Sequence, residues 1–166
     1  MSNGKKGLAF ILALTLVLSG VRSFTPIGAP SGFDFAGTLD GAGHKVSGVY
    51  CNRTAASTGF IGRLAGELKN IRIENSYIFS TKGNVGVVGS TTGSMDSIYS
   101  DAIIKANDAH VGGIVGGDYN TNWSLTRCLV TGTISGRTTT GIATLFGYPE
   151  ASVRTHWFPE RLAESQ

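Results

Sequence analysis

Apolar and polar positions alternate along this chain in short bursts rather than in helical stripes. "VSGVYC" begins at Val46, "LKNIRI" at Leu68, "MDSIYS" at Met95 and "LTRCLV" at Leu125. Each run has apolar or small residues at i, i+3 and i+5. The last two follow the period of a strand, and the first step of three predicts a bend or bulge. Ahead of or after the runs stand four short boxes: "GFIG" (Gly59–Gly62), "GVVG" (Gly86–Gly89), "GIVG" (Gly113–Gly116) and "TLFG" (Thr144–Gly147). The first three recur at a fixed step of 27 residues. A fixed step of this size is the signature of stacked units, none of which buries its apolar face alone.

Stacking the runs predicts columns of equivalent side chains. Val46, Leu68, Met95 and Leu125 fill one; Val49, Ile71, Ile98 and Cys128 the next; Cys51, Ile73, Ser100 and Val130 a third. Within "VGGIVGG" (Val111–Gly117), the branched residues are then expected to point into a core, and the glycines to sit at turns or close backbone approaches. A flexible glycine linker is the alternative, but linkers do not hold Ile, Val and Phe in register.

"FAGTLDGAGHKVSGVY" (Phe35–Tyr50), followed by "TGFIGRLAGELKNIRI", "VGVVG" and "VGGIVGG", resembles the GLUG-motif repeats of bacterial secreted and surface proteins. The resemblance covers roughly residues 33–147. It implies an all-β fold: a short right-handed parallel β-helix, or solenoid, of about four coils with capped ends. It also implies a surface, interaction or adhesion context without catalytic residues. An antiparallel β-sandwich is the other fold that regular short strands permit. The fourth box departs from the glycine-first form.

The ends read differently. Lys5 and Lys6 precede the uncharged stretch Leu8–Val21, which is the length of a secretory signal core and short of the ~20 residues of a spanning helix. Residues 1–23 are therefore expected to be a signal peptide, leaving no membrane span after cleavage and a secreted or cell-surface chain. An uncleaved anchor is the alternative. Residues 24–147 form the repeat domain, and 148–166 a C-terminal cap or tail carrying Val153, Trp157, Phe158 and Leu162.

Composition supports this picture. There are 24 glycines among 166 residues, and 15% of residues are charged against a usual ~25%. The formal charge of +3 is a leader effect, because residues 1–23 hold Lys5, Lys6 and Arg22 and no acid. No basic footprint for nucleic acid remains. Cys51 and Cys128 are expected to be free, since the columns place them in the first and fourth coils, beyond disulfide reach.

Candidate chemistry is sparse. "GAGHKVSG" (Gly41–Gly48) lacks the spacing and the following helix of a dinucleotide loop. His44, His110 and His156 are isolated, so no metal site is expected. No cofactor is implied either. The register puts Glu74 beside Asp101, Lys69 beside Asp96 as a surface ion pair, and Arg72 beside Tyr99 as a stack. Tyr50, Tyr99 and Tyr119 are the aromatic candidates for ligand contact, together with Glu74 and Asp101. The leading expectation is a non-enzymatic binding module for an extracellular glycan or a cell-surface protein. The alternative is a polysaccharide lyase or hydrolase using Glu74 and Asp101. "NRT" and "NWS" match the glycosylation pattern but read as chance in a bacterial protein, and the threonine ladder of an ice-binding solenoid is missing.

Overall fold

The computed structural model describes residues 22–29, 32–107, 110–118, 123–137 and 141–147. The expected signal peptide and the 148–166 cap or tail therefore lie outside the described residues, apart from Arg22 and Ser23. The described residues hold strands and no helix.

The strands form four successive coils. The first contains β1 (Thr38–Asp40), β2 (Lys45–Ser47), β3 (Tyr50–Arg53), β4 (Ser57–Thr58) and β5 (Ile61–Leu64). The second contains β6 (Glu67–Glu74), β7 (Tyr77–Ser80), β8 (Asn84–Val85) and β9 (Val88–Thr91). The third contains β10 (Ser94–Ser100), β11 (Ile103–Ala106), β12 (Val111–Gly112) and β13 (Val115–Asp118). The fourth contains β14 (Ser124–Thr126), β15 (Leu129–Val130), β16 (Ile134–Gly136) and β17 (Ile142–Ala143).

Every strand pairs in parallel with its counterpart one coil away, which makes four ladders. The first sheet runs β1-β6-β10-β14, with β2 on β6 and β15 on β10. The second runs β3-β7-β11-β16, the third β4-β8-β12-β17 and the fourth β5-β9-β13. The chain is thus a parallel β-solenoid of about four turns, and sequential strands do not form antiparallel hairpins.

The predicted bend is present. Leu68 pairs with Met95, and Ile71 with Ile98. Between them stand Asn70 at φ 52° and Ser97 at φ 56°, followed in the fourth coil by Arg127 at φ 50°. One left-handed residue resets the alternation, so that Leu68 and Ile71, three apart, both point inward and are 0% and 4% exposed.

The first coil differs from the expected columns. Leu39, not Val46, stacks under Leu68. Val46 stacks under Ile73, which continues to Ser100 and Val130. Cys51 lies in another sheet altogether, under Ile78, Ile104 and Ile134. Val49 occupies the corner beside Ser76, whose hydroxyl accepts its N–H at 3.1 Å. The cause is a local insertion. Asp40 faces Lys69 and Lys45 faces Arg72, so four residues in the first coil span what two span in the second. The extra residues make a turn in which Asp40 accepts from the Ala42 N–H at 2.8 Å. That hydrogen bond leads the causes that hold the Asp40 carboxyl below its usual range.

Two apolar clusters fill the interior. One, between the first and fourth sheets, contains Leu68, Ile71, Ile73, Val87, Val88, Met95, Ile98 and Ile114. The other, between the second and third sheets, contains Cys51, Ile78, Val85, Ile104 and Val111. The glycine boxes join the two. In "VGGIVGG", Val111 enters one cluster, and Ile114 and Val115 enter the other. Gly116 meanwhile lies against the backbone amide of Val85, where any Cβ would overlap it. Both sides of this backbone are therefore buried, one by side chains and one by main chain. That is why branched residues and glycines occur together here.

Candidate functional site

Each sheet turns alternate residues outward, so the columns of the interior have exposed counterparts. On the second sheet, Tyr50, Tyr77 and Ile103 form one outward column, and Asn52, Phe79 and Lys105 form the next. The Tyr50 and Tyr77 rings stack with centroids 5.8 Å apart and planes at 16°. Phe79 lies 6.5 Å from Tyr77, and the Lys105 ammonium sits 6.0 Å from the Tyr77 ring centre. Asn52 donates its amide to the Tyr50 hydroxyl at 3.3 Å. Ile103 remains 42% exposed, unusual for a residue of its size. A shallow groove of about 420 Å³ borders this face, lined by Asn75, Ser76, Tyr77, Asp101 and Ile103. It brings an aromatic ring, an aliphatic side chain, an amide and a carboxylate to one place.

The candidate residues are distributed as follows. Glu74 and Asp101 do occupy equivalent positions, since Ser100 pairs with Ile73 and the Asp101 N–H donates to the Ile73 carbonyl at 3.2 Å. Their carboxylates are engaged separately. Glu74 takes Arg72 at 2.6 Å and Lys45 at 3.6 Å, and its side chain is 12% exposed. Asp101 accepts the Asn75 N–H at 2.6 Å, which fixes the corner where Asn75 adopts φ 46°. Tyr99 lies on the first sheet, apart from Tyr50 on the second. The Arg72 guanidinium sits 4.9 Å from the Tyr99 ring centre, as expected from the register, and the Tyr99 hydroxyl shares a hydrogen bond with Thr131 at 2.9 Å. Tyr119 lies outside the described residues.

The Lys69–Asp96 ion pair is not formed, although the two residues face each other in the ladder. Lys69 turns to Glu67 at 2.9 Å. Asp96 is taken by Arg127 and by the Thr126 hydroxyl. Arg127 stands at the left-handed corner of the fourth coil, next to Thr126, which faces Asp96 in the ladder.

Sequence reasoning overlooked Tyr77, Phe79 and Ile103, which complete the outward face. The signal was present as alternation in "SYIFST" (Ser76–Thr81) and "AIIKA" (Ala102–Ala106), but the misplaced first coil hid their alignment with Tyr50. It also overlooked a polar network at the junction of the third and fourth sheets. Asn84 donates to Ser90 at 3.0 Å and is bonded to the His110 ring at 3.0 Å, while Ser57 and Ser90 share a hydrogen bond of 2.8 Å. Ser90 is fully buried, so this network satisfies polar groups at a tight corner.

Both cysteines are free. Burial pushes both thiols up to about 11, away from the thiolate form. Thiol titration under denaturing, non-reducing conditions is expected to count two. A Cys51–Cys128 bridge, giving none, is incompatible with the stack. No cluster of three or more His, Cys, Asp or Glu residues able to hold a metal ion occurs among the described residues. No helix among them is long and apolar enough to cross a membrane.

No family model matches the chain, and no solved structure matches it. The chain is similar to Halomucin from Haloquadratum walsbyi, at 31% identity over 101 residues. The matched stretch covers 59% of this chain and 1% of that protein, so the chain spans only a small fraction of the length of the curated relative it matches.

Proposed function

We propose that the chain is an extracellular, non-enzymatic binding module built from GLUG-like repeats, and that it engages surface glycans through the outward face of the second sheet. The observation that carries this reading is the outward-facing column of Tyr50, Tyr77 and Ile103 beside the Asn75–Asp101 groove. Ring edges and an aliphatic side chain offer contact to the apolar faces of sugars. The Asn75 amide, the Asp101 carboxylate and the tyrosine hydroxyls offer hydrogen bonds to sugar hydroxyls. Backbone ladders on every coil hold these groups in place, so little ordering entropy is lost on binding. Likeness to a protein that carries the name of a mucin supports a setting outside the cell. The enzymatic alternative is less well supported, because Glu74 is paired with Arg72 and Lys45 and does not line the groove that Asp101 borders.

A glycan-array screen of the chain, repeated with Tyr77→Ser and Ile103→Ser, tests the reading. At least one glycan class is expected to bind, with affinity lowered ~10-fold or more by either substitution while the melting profile stays cooperative. Binding that is unaffected by both substitutions assigns the site elsewhere. Polysaccharide depolymerisation that is abolished by Glu74→Gln replaces the binding module with an enzyme.

A further inference from the structure

The charges of this chain are segregated by sheet. The first sheet and its corners carry Lys45, Lys69, Arg72 and Arg127, and each of these cations is ion-paired with Glu67, Glu74 or Asp96 on the same sheet. Arg63 of the fourth sheet pairs with Asp34. The strands of the second sheet, β3, β7, β11 and β16, contain no acid. Those strands and the turns that follow them hold Arg53, Lys82, Lys105 and Arg137, none of which forms an ion pair with another described residue. One acid follows β11 in sequence, Asp108, and it lies outside the described residues.

The register gathers the three exposed cations along one border of the outward face. Lys105 stands next to Phe79 in the column that begins at Asn52. Lys82 lies in the turn after β7, and Arg137 follows Gly136, which pairs with Ala106. The Thr54 and Thr81 hydroxyls, 2.8 Å apart, continue the stacking past the strand ends. The Tyr50 and Tyr77 rings occupy the neighbouring column, and Asp101 lies beyond them at the opposite border. Across the sheet, the face runs from cations through aromatic rings to a carboxylate. Successive coils stand about 4.8 Å apart, so like charges on the second, third and fourth coils reinforce one positive potential. An anion laid along that border relieves their mutual repulsion.

We infer that the glycan taken by this face is a polyuronate, with its sugar rings on Tyr50 and Tyr77 and its carboxylates toward Lys105 and the flanking Lys82 and Arg137. The inference rests on the binding reading given above and names the class of ligand. A pyranose stacked on Tyr77 turns one edge toward the Lys105 ammonium, which lies 6.0 Å from the ring centre. One cation beside one ring matches a sugar that carries a single carboxylate, and a border of three cations is sparse for a heavily sulfated chain. Asp101 repels carboxylates and accepts from hydroxyls, so it sets which edge of the sugar faces the cations. The polysaccharide runs along the stack, because Tyr50 and Tyr77 succeed each other in that direction with centroids 5.8 Å apart, close to the length of one pyranose.

The test measures binding of an oligogalacturonate and a hyaluronan oligosaccharide, each beside its carboxyl-reduced form, in which every carboxylate has become a hydroxymethyl group. At least one acidic form is expected to bind ~10-fold or more tighter than its reduced form near 0.1 M salt, and to lose that preference near 1 M as the screening length falls from about 10 Å to about 3 Å. Lys105→Gln is expected to cut the preference ~3-fold or more, the order of one exposed ion pair. K82Q/K105Q/R137Q is expected to remove it, with the melting profile kept because all three side chains are exposed. Lys69→Gln, which removes an ion-paired cation of the first sheet, is expected to leave it unchanged. Equal binding of acidic and reduced forms, lost with Tyr77→Ser, overturns the inference and leaves the binding module standing on neutral glycans. A preference that survives the triple substitution, or that Lys69→Gln lowers as much as Lys105→Gln, also overturns it, since the carboxylates are then met elsewhere or by net charge alone. Tighter binding of dextran sulfate than of either uronate overturns it in favour of sulfate. Binding of none of these probes overturns it too, and the glycan array alone then decides whether the face binds sugars.

Discussion

Gly89→Ala is expected to abolish cooperative folding. A Cβ at this position would stand 2.5 Å from the Thr58 amide nitrogen and 2.8 Å from the Gly62 carbonyl oxygen. Both obstacles are main chain of the preceding coil, and neither can swing aside as a side chain would. Relief requires moving β4 or β9 apart, which breaks ladders on two sheets. Ordinary overpacking costs roughly 1–3 kcal/mol. Here the displaced atoms are hydrogen-bonded backbone, so the cost is expected to exceed that range. Gly116→Ala repeats the experiment one coil on, against the Val85 amide. Gly37→Ala is the control, because its nearest neighbours are ring carbons of Phe35 at 3.4 Å, ordinary contact. Circular dichroism melts are expected to show no transition for Gly89→Ala and a near-native one for Gly37→Ala. A native-like melt for Gly89→Ala would show that the third and fourth sheets do not approach as described.

Ile98→Ala is expected to cost about 2–5 kcal/mol. Ile98 is 1% exposed and lies directly over Ile71 in the middle of the first sheet. The neighbours that would have to collapse into the cavity are held by parallel ladders on both sides, so relaxation is limited. In a nearest-neighbour stack the damage is not confined to one coil, because the second and third lose the same interface. Denaturant melts read the effect directly. A change below about 0.5 kcal/mol would remove Ile98 from the core.

Much of this interior is legible in the order of residues alone. The 27-residue step and the i, i+3, i+5 spacing locate Leu68, Ile71 and Ile73, and the step of three requires the corner at Asn70. The fourth coil follows from the same pattern. The first coil does not, for a specific physical reason. "VSGVYC" has the right spacing by coincidence, while the true counterpart of "LKNIRI" is split between "TLD" and "KVS" by a four-residue turn. An insertion in a loop leaves no mark on local periodicity. The outward face of the second sheet is lost by the same error, since Tyr50 finds Tyr77 only when Cys51 is placed under Ile78. The polar network of Ser57, Asn84, Ser90 and His110 is invisible for a different reason. Its members are spread over three coils and two sheets, and polar residues at corners look like ordinary turn residues until the register is known.

The left-handed corner at Asn70, Ser97 and Arg127 also acts as a phase mark. A plain strand can slide by two residues without changing which side chains face inward, so alternation alone leaves its register ambiguous. The corner removes that ambiguity. A slide that brings Arg72 to the bend would turn Asn70 and Asn75 inward alongside Ile73. A slide the other way would bury Lys69 beside Ile71. A slide of a single residue would force the branched side chain of Ile71 into a backbone conformation that costs roughly 1–2 kcal/mol. Each coil therefore carries its own origin, and the next coil has one low-energy position in which to land. For a chain made of near-copies, in which a strand could pair with its neighbour at several wrong offsets, the bend leaves one offset that fits.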